Sequence, residues 1–74
     1  MMKLKEYRES GIVISTVAVP FMAWYGPYET GISLDSQKSF SIAEGYTNED
    51  EAREGHLKYC NMSDEEIRNL KFIG

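Results

Sequence analysis

Two runs of alternating side chains constrain this chain most. In Tyr28–Leu34, the residues Tyr28, Thr30, Ile32 and Leu34 fall on one side and Glu29, Gly31 and Ser33 on the other. In Ser39–Tyr46, Phe40 and Ile42 share a side with Tyr46, opposite Ser39, Ser41 and Ala43. A period of two is the signature of a half-covered strand, and Asp35-Ser36-Gln37 between the runs has turn composition. The pair predicts an antiparallel hairpin.

A further strand is expected upstream. Gly11–Val19 has six β-branched residues in nine positions and apolar side chains on both faces, as a central strand would. Met1–Ser10 is polar and is left open, as a lead-in or as an extension of that strand. Pro20–Pro27 is a loop, with Pro20 removing a strand donor and Gly26-Pro27 marking a turn.

After the hairpin the period changes. Asn48 reads as an N-cap before Glu49, Asp50 and Glu51, three carboxylates in a first helical turn where the backbone dipole favours them. The helix is expected to reach about residues 59–61, with Ala52, Gly55, His56, Tyr59 and Cys60 inward and Leu57 off that stripe. Ser63-Asp64-Glu65-Glu66 is a capping box for a short second helix, whose apolar side is Ile67, Leu70 and Phe72. The sum is a single α+β domain over residues 1–74. It has a three-stranded antiparallel sheet, one strand followed by the hairpin, packed by one main C-terminal helix with a short terminal helix. The face with Tyr28, Ile32, Phe40 and Ile42 is expected to meet Ala52, Gly55 and Tyr59.

Composition narrows the function classes. At 74 residues the chain is marginal as a folding unit. One cysteine excludes an intrachain disulfide, and one histidine beside it excludes a four-ligand zinc site of the usual kind. Stability is therefore expected from packing or from a homo-oligomer. A lone cysteine fits a reducing compartment, and the charged Met1–Arg8 stretch lacks a leader pattern, so a cytoplasmic location is expected. Gly11, Pro20, Gly26 and Pro27 break the nearly uncharged Ser10–Tyr28 stretch, which argues against a membrane span. Eight basic and twelve acidic residues give a net charge of −4 with no Lys/Arg stripe, so nucleic acid is not an expected partner.

The strongest pointer to binding is the loop. Phe21, Met22, Trp24, Tyr25 and Tyr28 place four aromatics and a methionine in eight residues. Such side chains are enriched at interfaces, and equally they can fold back to cap a small core. His56 titrates nearest neutrality, but an inward helical histidine is more often held by a backbone or hydroxyl group than used in catalysis. Cys60, four residues on, can lie beside it, and core packing explains that spacing better than a nucleophile with its base. Gly55 inside a helix costs about 1 kcal/mol relative to Ala, which predicts close approach by a bulky sheet side chain such as Tyr28 or Phe40. Arg53 is a solvated helix charge or an anion contact. Thr16 and Thr30 read as ordinary strand residues.

Three segments carry a family resemblance: Ile14-Ser15-Thr16-Val17, then Tyr28-Glu29-Thr30, then Tyr46-Thr47 followed by Glu51-Ala52-Arg53-Glu54-Gly55-His56. In this order they resemble a group of short bacteriophage-encoded proteins of unknown function. The PFMAWYGP loop departs from that group, whose members often carry a glycine-rich stretch with Asp and His there. The resemblance implies phage or prophage origin and expression in the bacterial host, and it implies no reaction and no cofactor. The reading expected from all this is an accessory protein that binds, and inhibits or counteracts, a host protein such as a defence component. The alternatives are a protein sequestering a small molecule such as a nucleotide signal, through Trp24 or Tyr25 with Arg53, Lys58 or His56, and a component of phage assembly. An enzyme using His56 ranks last.

Overall fold

The computed structural model describes residues 2–19 and 25–74. Among them, β1 (Lys3–Tyr7), β2 (Val13–Ala18), β3 (Tyr28–Ser33) and β4 (Ser41–Tyr46) form an antiparallel sheet in sequence order. The helices α1 (Glu49–Cys60) and α2 (Asp64–Arg68) follow. The α+β class and the hairpin stand as expected, but the sheet has four strands rather than three. The polar lead-in is the fourth, paired with β2 from Lys3↔Val17 to Tyr7↔Val13. Its Lys-Leu-Lys-Glu-Tyr sequence lacks an apolar face because it lies at the sheet's edge, where lysines are tolerated. Arg8, just beyond it, donates from Nε to Glu6, from Nη1 to Asp64 and from Nη2 to the Cys60 carbonyl, at 2.8, 2.8 and 3.0 Å. These bonds tie the end of β1 to the junction between the helices.

One face of the sheet carries the core. Ile12, Ile14 and Ile32 pack with Tyr59 of α1 and Ile67 of α2, and a second group joins Met2, Tyr46 and Ala52. The four isoleucines are essentially inaccessible to water, each contributing about 1.5–3 kcal/mol of burial free energy. Phe40 and Ile42 do not join them, contrary to the strict alternation of Ser39–Tyr46. Thr30 pairs with Glu44 but Gly31 pairs with Ile42, so Ala43 is an extra residue, a β-bulge. The bulge reverses the side-chain phase along β4. Tyr46 and Glu44 point toward the helix, Ala43 packs against the core, and Ile42 sits beside Gly31 on the open face.

The hairpin turn is held by its own polar side chains. Ser36 and Gln37 adopt φ of 60° and 73°. The Asp35 carboxylate accepts from the Ser33 and Ser39 hydroxyls, both at 2.7 Å, and from the Ser39 amide at 3.0 Å. These bonds, that from Ser33 foremost, hold the Asp35 carboxyl down at about 2.

Both helix starts are capped as expected. Asn48 Oδ1 accepts from the Glu51 amide, and Ser63 and Glu66 form the reciprocal capping box. Ala52, Gly55, His56 and Tyr59 are the buried face of α1, whereas Leu57 is exposed. The side chain that requires Gly55 is Tyr46, not Tyr28 or Phe40, because a Cβ on Gly55 would fall on the Tyr46 ring. Gly55→Ala gains about 1 kcal/mol of helix propensity but overpacks the site, at a cost of about 1–3 kcal/mol. Since Tyr46 is also anchored through its hydroxyl, the expected result is a net loss near the upper end of that range less the propensity gain, about 1–2 kcal/mol, seen as a lower urea midpoint.

Candidate functional site

The inward positions of the sheet carry polar residues in register. Thr16 and Thr30 are paired across β2 and β3, and both are wholly buried. Burial of a hydroxyl is unfavourable unless it is bonded, and here every one is. His56 Nδ1 lies 2.7 Å from Thr16 Oγ1, Thr16 Oγ1 lies 2.6 Å from Thr30 Oγ1, and Thr30 Oγ1 lies 2.8 Å from the Tyr46 hydroxyl. Tyr46 then lies 3.5 Å from Glu44 Oε1. That oxygen also accepts from Lys58 Nζ at 2.6 Å and from the Tyr59 hydroxyl at 3.0 Å. A polar run thus crosses the core from α1 to the outer strand.

The proton positions follow from the distances. Each hydroxyl has one proton to give. Tyr46 has a good acceptor in Thr30 at 2.8 Å and a poor one in Glu44 at 3.5 Å. If Tyr46 gives its proton to the nearer acceptor, donation runs from Tyr46 to Thr30, to Thr16 and to His56 Nδ1, with the imidazole proton on Nε2. A protonated His56 would donate from Nδ1 and force the run to reverse. Burial of the ring independently lowers the His56 pKa, against the opposing charge of Glu6.

The remaining groups are similarly settled in their unreactive forms. Burial pushes the Tyr46 hydroxyl up to about 12, with the Glu44 charge adding to it. Burial and the bond to Glu44 do the same for Tyr59, also to about 12. Burial opposes ionisation of Glu44, but its bonds to Lys58 and Tyr59 prevail and hold its carboxyl below the usual range. The Cys60 thiol is pushed up to about 11 by burial, with Glu6 adding to the rise, so at neutral pH it is not a thiolate. His56 spends Nδ1 on Thr16 rather than on Cys60.

Above the run, α1 and β4 enclose an open cleft of about 350 Å³ lined by Glu44, Gly45, Tyr46, Glu51, Glu54, Gly55 and Lys58. Glu44 is paired with Lys58 at 2.6 Å, and Glu51 accepts from the Thr47 hydroxyl at 2.9 Å. The local balance is acidic, three carboxylates to one ammonium. Among the described residues no group of three or more His, Cys, Asp or Glu side chains is placed to hold a metal ion, and no helix is long and apolar enough to cross a membrane.

The candidates drawn from sequence are dispersed. Phe21, Met22 and Trp24 lie outside the described residues. Tyr25 passes over Gly45, where its backbone occupies the place of a Cβ, and its hydroxyl donates to the Ile73 carbonyl at 2.8 Å. Tyr28 is half-buried against the Met2, Tyr46 and Ala52 group. Arg53 pairs with Glu49 at 2.8 Å on the outer side of α1, and His56 is buried. Sequence reasoning missed the Thr16–Thr30 pair, Glu44 and Tyr46. The signal was available in part, since Thr30 falls on the apolar side of its alternation and a polar group there needs a partner.

No protein-family model matches the sequence, and no curated protein or solved structure is significantly similar to it.

Two measurements test the polar run. The neutral His56 ring is expected as the Nε2–H tautomer, which ¹⁵N chemical shifts of the imidazole report directly; an Nδ1–H ring would reverse the assigned direction. Stability should also depend on this group. Because the folded state lowers the His56 pKa, its contribution is complete above the unfolded value of 6.5 and declines as pH falls through that value, levelling off below the folded pKa. Urea midpoints are expected to drop between pH 7.5 and 5, roughly, and this drop should vanish in His56→Asn. A separate loss follows at lower pH, as Glu44, Asp35 and Asp64, all with lowered pKa values, become protonated.

Proposed function

We propose that the protein is a binding module whose cleft between α1 and β4 receives a basic side chain of a partner protein. The observation that supports this most is the acidic rim: Glu51 and Glu54 stand beside a Glu44–Lys58 pair in a concave site of about 350 Å³. A guanidinium or ammonium group is attracted there, with Glu54 on the rim to meet it. Phosphate is repelled by the same carboxylates, and Lys58, Arg53 and His56 are each engaged by a neighbour. This weighs against the nucleotide-sequestering alternative. The neutral Cys60 and the committed hydroxyls favour recognition over catalysis. With the motif order shared with short phage-encoded proteins, the module reads as an accessory protein that occupies a host protein and blocks or redirects it. Tyr25 crosses Gly45, one of the residues that line the cleft.

Immobilised protein is expected to capture a bacterial host protein in a salt-sensitive manner. Glu54→Lys and Tyr25→Ala should each weaken capture about tenfold or more without lowering the melting temperature. Capture that is absent, or unchanged in both variants, overturns the reading.

A further inference from the structure

The side of the sheet away from the helices is a second, separate surface. Down its middle run Ser15 of β2 and Gly31 of β3, paired with each other, and the Phe40 ring and Ile42 lie over Gly31. Val17, Glu29, Phe40 and Ile42 join them around a shallow groove of about 150 Å³. Phe40 is 41% exposed, and Tyr7, on the same face, is 62% exposed. The charges on this face are segregated. Lys3 and Lys5 stand on β1 to one side of the Ser15–Gly31 midline, and Glu29 stands on β3 to the other, in the same row as Lys3 through Val17.

We propose that this face is the interface of a homodimer, with its twofold axis lying along the Ser15–Gly31 midline parallel to the strands. That operation lays β2 of one copy over β3 of the other and β1 over β4. Lys3 and Lys5 then face Glu29 of the second copy from one strand away, about 5 Å laterally, within reach of a lysine. The same contact recurs on the other side of the axis, so one carboxylate and two ammonium groups are matched twice. Phe40 and Ile42 cover Lys5 and its aliphatic stem, extending the cation–aromatic contacts that Lys5 makes with Tyr7 and Phe40 at 5.9 and 6.0 Å. Phe40, whose ring lies over Gly31 beside the axis, and Ile42 supply burial that a lone domain of 74 residues lacks. The acidic clefts face outward from such a dimer, so this inference goes beyond the proposed function and stands or falls separately from it.

Sedimentation equilibrium over roughly 5 to 500 µM at low salt should show the 8.5 kDa chain converting to a species of twice that mass. Phe40→Glu should keep it monomeric at every concentration, and circular dichroism should confirm that this exposed substitution leaves the fold intact. Charge reversal gives the decisive test. Glu29→Lys alone, and the double variant Lys3→Glu/Lys5→Glu alone, should each be monomeric because like charges then face across the axis. Mixed in equal amounts, the two variants should dimerise again, since each supplies what the other lacks. A wild-type chain that stays monomeric throughout overturns the proposal, as does a dimer indifferent to Glu29→Lys or a mixture that fails to re-associate.

Discussion

The hydroxyl of Thr30 is the point on which sheet and helix agree. It bonds to Thr16 on the neighbouring strand and to Tyr46 on the other side, and through Thr16 it reaches His56 on α1. A purely apolar contact between a sheet and a helix tolerates sliding. A buried run of hydroxyls does not, because any shift leaves a donor or acceptor unpaired in a medium without water. Ile14 and Ile32 supply attraction beside it, while the polar run fixes which turn of α1 rests on which pair of strands. Gly55 belongs to the same arrangement, since the Tyr46 ring can reach Thr30 only where the helix has no side chain in its way.

Much of this fold is written in short-range patterns. The hairpin, both helix caps and the inward stripe of α1 follow from alternation, capping chemistry and a period of 3.6, all local properties. What escaped was non-local or sat where propensity is weak. Lys3–Tyr7 has no apolar face to announce a strand, and it is one because Val13–Val17 offers a partner in register. The bulge at Ala43 has no signature in Ser39–Tyr46, where plain alternation fits the residues better than the observed phase. Thr16 and His56 are 40 positions apart, so their contact exists only once the layers are assembled. The site was the least legible part for the same reason, as the cleft is made from one strand and one helix whose charges lie apart in the sequence.

The two faces of the molecule have different chemical characters. On the helix side, burial raises the pKa of Tyr46, Tyr59 and Cys60, and bonds to Lys58 and Tyr59 lower that of Glu44, which suits a rigid recognition surface better than proton transfer. On the sheet side, apolar and charged side chains stand in ordered rows, with Phe40 over Gly31 and Tyr25 over Gly45.

The extra residue in β4 joins these two sides. Between Gly45 and Ile42 the strand changes which layer its odd and even positions serve, so its two halves obey opposite rules of hydrophobicity. Upstream of Ala43 an apolar side chain at an even position enriches the outer surface; downstream the same parity feeds the interior. One inserted alanine therefore lets a single strand of six residues donate Ile42 to one world and Tyr46 to the other. Regular pairing through Ala43, with no bulge, would send both to the same side of the sheet.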